Sequence, residues 1–245
     1  MSSPEDGTRL NEWFVPGFGP MRFRVAIGLL FLPYTGMVLA FTVMGSMLAD
    51  TVHWDRVLAI VVIYFLALGV AAHALDAVGS RGTKPWGSVV WRRQLWSLAA
   101  ASLALAYAIG IYYMLRDAPM LWWIAAAEGF FLLAYNLEWF RGRFHTDGWF
   151  ALSWGGLPVL AGHVLQTNTL SWAAILVAGA AALVALVEIK ASRPYKMLKR
   201  AAGGEPPSEA ERMCQQQFES ILKVVSLGVI LLGAGLAACR WAAWE

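Results

Sequence analysis

Charge is what this chain has least of. Only 14% of its 245 residues are Asp, Glu, Lys or Arg, against about 25% in a soluble domain. That excludes an ordinary water-facing globular surface. Cysteine is scarce too: Cys214 and Cys239 are the only two. They fall on opposite expected faces, so a mutual disulfide is not expected. No Cys-x-x-Cys motif or Cys/His cluster offers a metal site. The chain carries no P-loop, no His-Glu-x-x-His and no nucleophile elbow, which removes the corresponding hydrolase and nucleotide-binding classes. A net charge of +3 does not mark a nucleic-acid binder. The first 24 residues hold charges and proline in place of an apolar core with a cleavage site, so the first apolar stretch is expected to direct insertion itself. Lysine is missing from the middle of every apolar run, which excludes a retinal Schiff base; Lys223 lies only at the mouth of the last one.

What fills the chain is apolar sequence, 59% of all residues. It comes in seven runs: Val25–Ala49, Val57–Leu75, Leu95–Leu115, Met120–Leu137, Trp149–Leu165, Leu170–Ile189 and Ile221–Ala238. A membrane-spanning helix needs about 20 such residues, with a working range of roughly 17–25. Backbone in lipid must satisfy its own hydrogen bonds, so each run predicts a helix. The expected fold is all-α, a seven-helix transmembrane bundle over residues 21–245, preceded by a flexible tail over 1–20.

The basic residues sort by side. Arg9, Arg22 and Arg24 precede the first run. Arg81, Lys84, Arg92 and Arg93 follow the second, and Arg141 and Arg143 the fourth. Lys190, Arg193, Lys196, Lys199, Arg200 and Arg212 follow the sixth. Together these are fifteen of the nineteen Lys and Arg. Arg56, Arg116 and Arg240 lie on the other side. The positive-inside rule then predicts a cytoplasmic N-terminus and an external C-terminus, in a membrane of the prokaryotic cytoplasmic type. Anionic lipid head groups would attract the basic face. Thirteen tryptophans, many near run ends, read as an interfacial aromatic belt.

Two long cytoplasmic connections are expected, Asp76–Gln94 and Lys190–Gln217. The second contains the helix-breaking run Gly203-Gly204-Glu205-Pro206-Pro207. Ser208 with Glu211 three residues on predicts a capping box that opens a helix into the last span. Each connection begins with an acidic residue and a basic, proline-containing segment, a weak internal repeat. The first reads His73-Ala74-Leu75-Asp76-Ala77-Val78-Gly79-Ser80-Arg81-Gly82-Thr83-Lys84-Pro85, the second Glu188-Ile189-Lys190-Ala191-Ser192-Arg193-Pro194.

In their placement after the second and sixth runs, these segments resemble the UbiA-type intramembrane prenyltransferase superfamily. The resemblance extends through Tyr135-Asn136, through Gly155-Gly156-Leu157-Pro158-Val159-Leu160-Ala161-Gly162, and through Gln166-Thr167-Asn168-Thr169-Leu170-Ser171-Trp172. It covers most of residues 22–238 and implies a shortened barrel of helices with a cavity open to cytoplasm and lipid. It also implies Mg²⁺ held by acidic residues on an isoprenoid diphosphate. This chain departs from that pattern: each motif keeps one acid, Asp76 and Glu188, while His73, Ser80 and Ser192 stand at the other places.

The candidate catalytic and metal-holding residues are therefore Asp76 and Glu188. Mg²⁺ takes oxygen ligands, usually one or two carboxylates with substrate phosphates. His73 precedes Asp76 by three residues on one helix face. These three are expected around one cytoplasm-facing cavity, with the cations Arg81, Lys84, Lys190 and Arg193 at its rim for a phosphate. The positive-inside bias calls for the same cations without any ligand. Glu128 sits deep in the fourth run, where an ionisable residue should face the bundle interior or a cavity. Asn136 follows at that run's end, as a lining residue or as a hydrogen bond between helices. His163 reads as a packed polar residue. Two functions follow: a non-catalytic protein that binds an isoprenoid or other membrane lipid, alone or as a subunit of a membrane complex, and a Mg²⁺-dependent prenyltransferase. The thinned acidic motifs favour the first.

Overall fold

A computed structural model describes residues 9–79, 86, 89–201 and 207–243. Every regular element among them is helical. In chain order these are α1 (Met21–Leu30), α2 (Leu32–Met47), α3 (Trp54–Tyr64), a π-helical stretch (Phe65–Ala72), α4 (His73–Gly79), α5 (Arg92–Arg116) and α6 (Leu121–Asn136). There follow a short turn of helix α7 (Trp139–Gly142), α8 (Asp147–Ala151), a second π-helical stretch (Leu152–Gly156), α9 (Leu157–Thr167), α10 (Trp172–Ala201) and α11 (Glu209–Ala242).

Five helical units are long and apolar enough to cross a membrane: Met21–Met47, Trp54–Gly79, Arg92–Arg116, Trp172–Lys199 and Glu209–Ala242. The protein is a multi-pass membrane protein. Two of the seven expected spans do not meet that measure, for different reasons. The run at 120–137 forms α6, which has only 16 residues. At 1.5 Å per residue that is about 24 Å, short of a ~30 Å hydrocarbon core. The run at 149–165 is helical from Asp147 to Thr167 but holds Gly155, Gly156, Pro158, His163 and Gln166. That helix is the most enclosed in the molecule. Ser153, Val159, Val164 and Leu165 are all 0% exposed, so other helices shield it, and it needs less lipophilic composition than a lipid-facing one.

Contacts sort the connections into two ends. At one end Arg56 donates to the carbonyls of Leu165 and Gln166 and pairs with Asp117 at 3.2 Å. Gln166 Oε1 accepts from the His53 amide, Asn168 Oδ1 accepts from the Met120 amide, and Arg240 donates to the Ala49 and Asp50 carbonyls. At the other end Arg9 meets Asp76, Arg193 meets Asp147, and Lys199 meets Glu12. The residues of 9–20, expected to belong to a flexible tail, pack here. Leu10 and Val15 are buried, and Arg24 donates to the Leu10 and Pro16 carbonyls.

Without water to expel between helices, packing in a membrane rests on close approach of small residues. The seam between α2 and α9 shows this. A methyl group on Gly45 would sit 1.9 Å from the Val159 carbonyl oxygen, and one on Gly162 would sit 2.0 Å from that of Thr42. Ser46, between them, donates to the Thr42 and Gly162 carbonyls. The first span is broken at Phe31, whose φ of 44° is left-handed. For a bulky residue this conformation costs roughly 1–2 kcal/mol. The carbonyl of Leu30 freed by the break accepts instead from the Thr35 hydroxyl at 2.6 Å.

The connection expected at 190–217 is mostly helix. α10 continues through Pro194 to Ala201, and α11 begins at Glu209. The expected capping box is present there: Ser208 Oγ accepts from the Glu211 amide, and Glu211 Oε2 accepts from the Ser208 amide at 2.8 Å. Helix-favouring residues such as Lys, Met, Glu and Gln carry both helices past the apolar runs. Cys214 and Cys239 both lie on α11, exposed and 25 positions apart, and are free.

Candidate functional site

Two groups of polar side chains interrupt the apolar interior. The first lies at the end that holds Arg9. Asp76 Oδ2 accepts from Arg9 at 2.9 Å, in a pair that is about one-quarter to one-third exposed. Lys196 and His73 also lie within electrostatic reach of Asp76. The Phe31 ring, set by the left-handed break, gathers this end together. Its centroid is 5.5 Å from His73, 4.6 Å from Tyr34 and 4.1 Å from Phe14, and Lys196 Nζ lies 5.9 Å from it as a cation over the ring. Tyr34 carries the chain of contacts on to α10, since the Glu188 carboxyl acts on its hydroxyl and Ser192 lies beside it.

Glu188 itself is 0% exposed, and neither of its carboxyl oxygens has a hydrogen-bond partner among the described residues. The helix does not end there: α10 extends 13 residues beyond it. Between Asp76 and Glu188 lie the rings of His73, Phe31 and Tyr34 in turn. Lys190 is exposed on α10. Arg193 pairs with Asp147 at 2.6 Å. Arg81 and Lys84 lie outside the described residues.

These residues suit Mg²⁺ poorly. Such an ion needs oxygen ligands gathered in near-octahedral geometry. Here Asp76 is engaged by a guanidinium, its neighbour His73 offers nitrogen, and the Glu188 oxygens are sealed in a helix interface. Among the described residues no three His, Cys, Asp or Glu side chains gather as a metal site.

The second group centres on Glu128. It is the eighth of the 16 residues of α6, and its Oε1 accepts from the Tyr64 hydroxyl of α3 at 2.8 Å. Its Oε2 is buried and has no partner among the described residues. Both side chains line a cleft between α3, α5 and α6, floored by Leu68, Leu132 and Ala161 and walled by Ile60, Leu103, Met114 and Ile124. The closed space within the cleft is small, about 60 Å³. Preformed ligand clefts are commonly about 300–1,000 Å³, so a lipid would have to part α5 from α6 to enter. Tyr107 of α5 lies across the mouth, where its hydroxyl donates to the Ala125 carbonyl at 3.0 Å. Gly129 makes room for it: a methyl group there would meet the Tyr107 hydroxyl oxygen at 2.1 Å. α5 packs closely on the second span but touches α6 little, which is why the gap exists.

The sequence offered Asn136 as a lining residue or as a hydrogen bond between helices. Asn136 instead donates from Nδ2 to Leu132 within α6, at 2.7 Å, and its carbonyl faces Gly79. Glu128 lines the separate cleft. His163 is 3% exposed and packs against Gly45. The Arg9–Asp76 and Tyr64–Glu128 pairs span 67 and 64 residues of chain. No local sequence signal marks either of them.

The fold and these two groups define the class: an all-helical, multi-pass membrane protein with an apolar cleft between α3, α5 and α6 and a charge-paired end. No protein-family model, no curated protein and no solved structure matches the chain.

Proposed function

We propose that this protein binds an isoprenoid or other membrane lipid in the cleft between α5 and α6 and performs no transfer reaction. The single observation that carries this is the cleft itself. It is walled almost wholly by apolar side chains, opens between two helices that barely meet, and has one carboxyl oxygen left unpartnered in its lining. The likeness to UbiA-type proteins accords with an isoprenoid ligand, and the family assignment stands as part of this proposal. The chain crosses the membrane seven times, with α6 and the helix from Asp147 to Thr167 as the two crossings that fall short in length or apolarity. Support comes from the alternation of its connections between the two ends of the bundle. The basic end, with Arg9, Arg193 and Lys199, is cytoplasmic by the positive-inside rule, and the C-terminus is external, in a prokaryotic cytoplasmic membrane. α11 has most of its surface outside the bundle, which leaves room for subunits of a membrane complex.

The test is purification of the full chain in mild detergent, with co-purified lipids and subunits identified by mass spectrometry. A stoichiometric isoprenoid or other apolar lipid is expected. Protein that is folded yet lipid-free after reconstitution into native membrane lipid would contradict the proposal. The second reading, a Mg²⁺-dependent prenyltransferase using Asp76 and Glu188, is favoured only by the retained acids and the basic end. Incubation with allylic diphosphates of several lengths and aromatic acceptors, with and without Mg²⁺, separates the two. Turnover abolished by Asp76→Asn would establish the enzyme.

A further inference from the structure

We infer that the cleft selects a lipid carrying a small neutral hydroxyl group, held by Glu128 at mid-membrane depth after lateral entry past Tyr107. This rests on the lipid-binding reading above and names the chemistry of its ligand.

Depth is the first argument. Glu128 is midway along α6, roughly 12 Å from either end at 1.5 Å per residue. The ends are fixed, because the Met120 amide bonds Asn168 at one and the Asn136 carbonyl abuts Gly79 at the other. A phospholipid keeps its head group at the membrane surface. Only its chains would reach this cleft, and Glu128 Oε2 would stay unpaired. A diphosphate brought to this depth would place anionic oxygens beside a carboxyl in a medium that penalises every charge. The ligand's polar group must therefore be uncharged and small, and the rest of the molecule apolar, as the walls are.

Pairing chemistry is the second argument. Glu128 Oε1 is occupied by Tyr64, and Oε2 is the buried polar atom of the lining with no partner. An ionised carboxyl accepts only, whereas a protonated one also donates. A hydroxyl both donates and accepts, so it pairs with Oε2 in either state. A ketone or an ether only accepts, so it loses the bond whenever the carboxyl is ionised. Access is the third argument. Tyr107 is partly exposed on the lipid side, and a single hydrogen bond to the Ala125 carbonyl holds it across the mouth. Rotation of that one side chain opens the gap between α5 and α6.

The test uses the full-length protein in nanodiscs and two probes, a farnesyl-chain phenol and its O-methyl ether. Affinity is read by native mass spectrometry after titration. The wild type should hold the phenol about 10-fold tighter than the ether, the size expected of one hydrogen bond to a carboxyl in a desolvated site. Glu128→Leu should bind both probes alike, near the affinity of the ether for the wild type. Glu128→Gln, which preserves shape and hydrogen bonding if the leucine variant fails to fold, should keep most of the preference. Gly129→Leu, by pushing Tyr107 inward, should weaken both probes together. Equal wild-type affinity for phenol and ether would overturn the hydroxyl inference and leave the cleft as a plain lipid site. Preference that survives Glu128→Leu would overturn the role of Glu128. Binding of neither probe by folded wild type would remove the cleft reading along with the inference.

Discussion

The two flanks of this bundle are built on opposite principles. Along the α2–α9 seam the backbones come so close that a single methyl group on Gly45 or Gly162 would lie within 2.0 Å of a carbonyl oxygen. Between α5 and α6 the helices stand apart, and the gap is bridged by one tyrosine hydroxyl. On the tight flank Ser46 spends its hydroxyl on two backbone carbonyls. On the open flank Glu128 keeps an oxygen unpartnered. In lipid there is little hydrophobic force to close a gap between helices, so association depends on packing and hydrogen bonds. A gap that persists beside an unpaired carboxyl is the place where a ligand supplies both.

The contrast can be broken most severely on the tight flank. Gly162→Leu should cost at least ~3 kcal/mol through backbone overpacking and yield little monodisperse protein on size-exclusion chromatography. Gly129→Leu inserts the same side chain on the open flank. It should melt within a few degrees of wild type, because the atom it meets is the mobile end of Tyr107, yet should lose bound lipid. Equal loss of folded protein from both variants would erase the distinction between the flanks. Tyr64→Phe lies between these two in effect on stability. It leaves Glu128 with neither oxygen paired, at a cost of about 1–3 kcal/mol, and bound ligand should restore much of the melting temperature. The smallest effect belongs to the charged end. Arg9→Ala removes one partner of a partly exposed ion pair, a change of about 1 kcal/mol or less. It should be weaker still at high salt in a melting series.

Residue by residue, the sequence was legible wherever one local pattern suffices. The apolar runs locate the five long helices, and Ser208 with Glu211 locates the start of α11. Helix ends were not legible, since α10 passes Glu188 and Pro194 without stopping. Apolarity marks the part of a helix in lipid, while helix propensity and capping decide where it ends. The two candidate groups were legible as residues but not as partnerships. Glu128 was singled out by a charge in an apolar run, but its partner Tyr64 is one tyrosine among seven. Glu128 and Asn136 share α6 but not their surroundings. Eight residues along α6 amount to roughly 80° of rotation and about 12 Å of rise, enough to put the two side chains in different places. Arg9 was read as tail, because nothing in its neighbours announces that it folds back on Asp76.

The account turns on Glu128 being reachable from the lipid while Glu188, also buried and unpartnered, is not. Dicyclohexylcarbodiimide, an apolar reagent that modifies carboxyl groups from within the membrane, puts this to one measurement. The reconstituted protein is treated briefly, digested and mapped by mass spectrometry. Modification is expected at Glu128, reduced by Gly129→Leu and by added farnesyl-chain phenol, with Glu188 unmodified over the same interval. Modification of Glu188 at a rate equal to or above that of Glu128 would contradict the assignment of the lipid-side cleft.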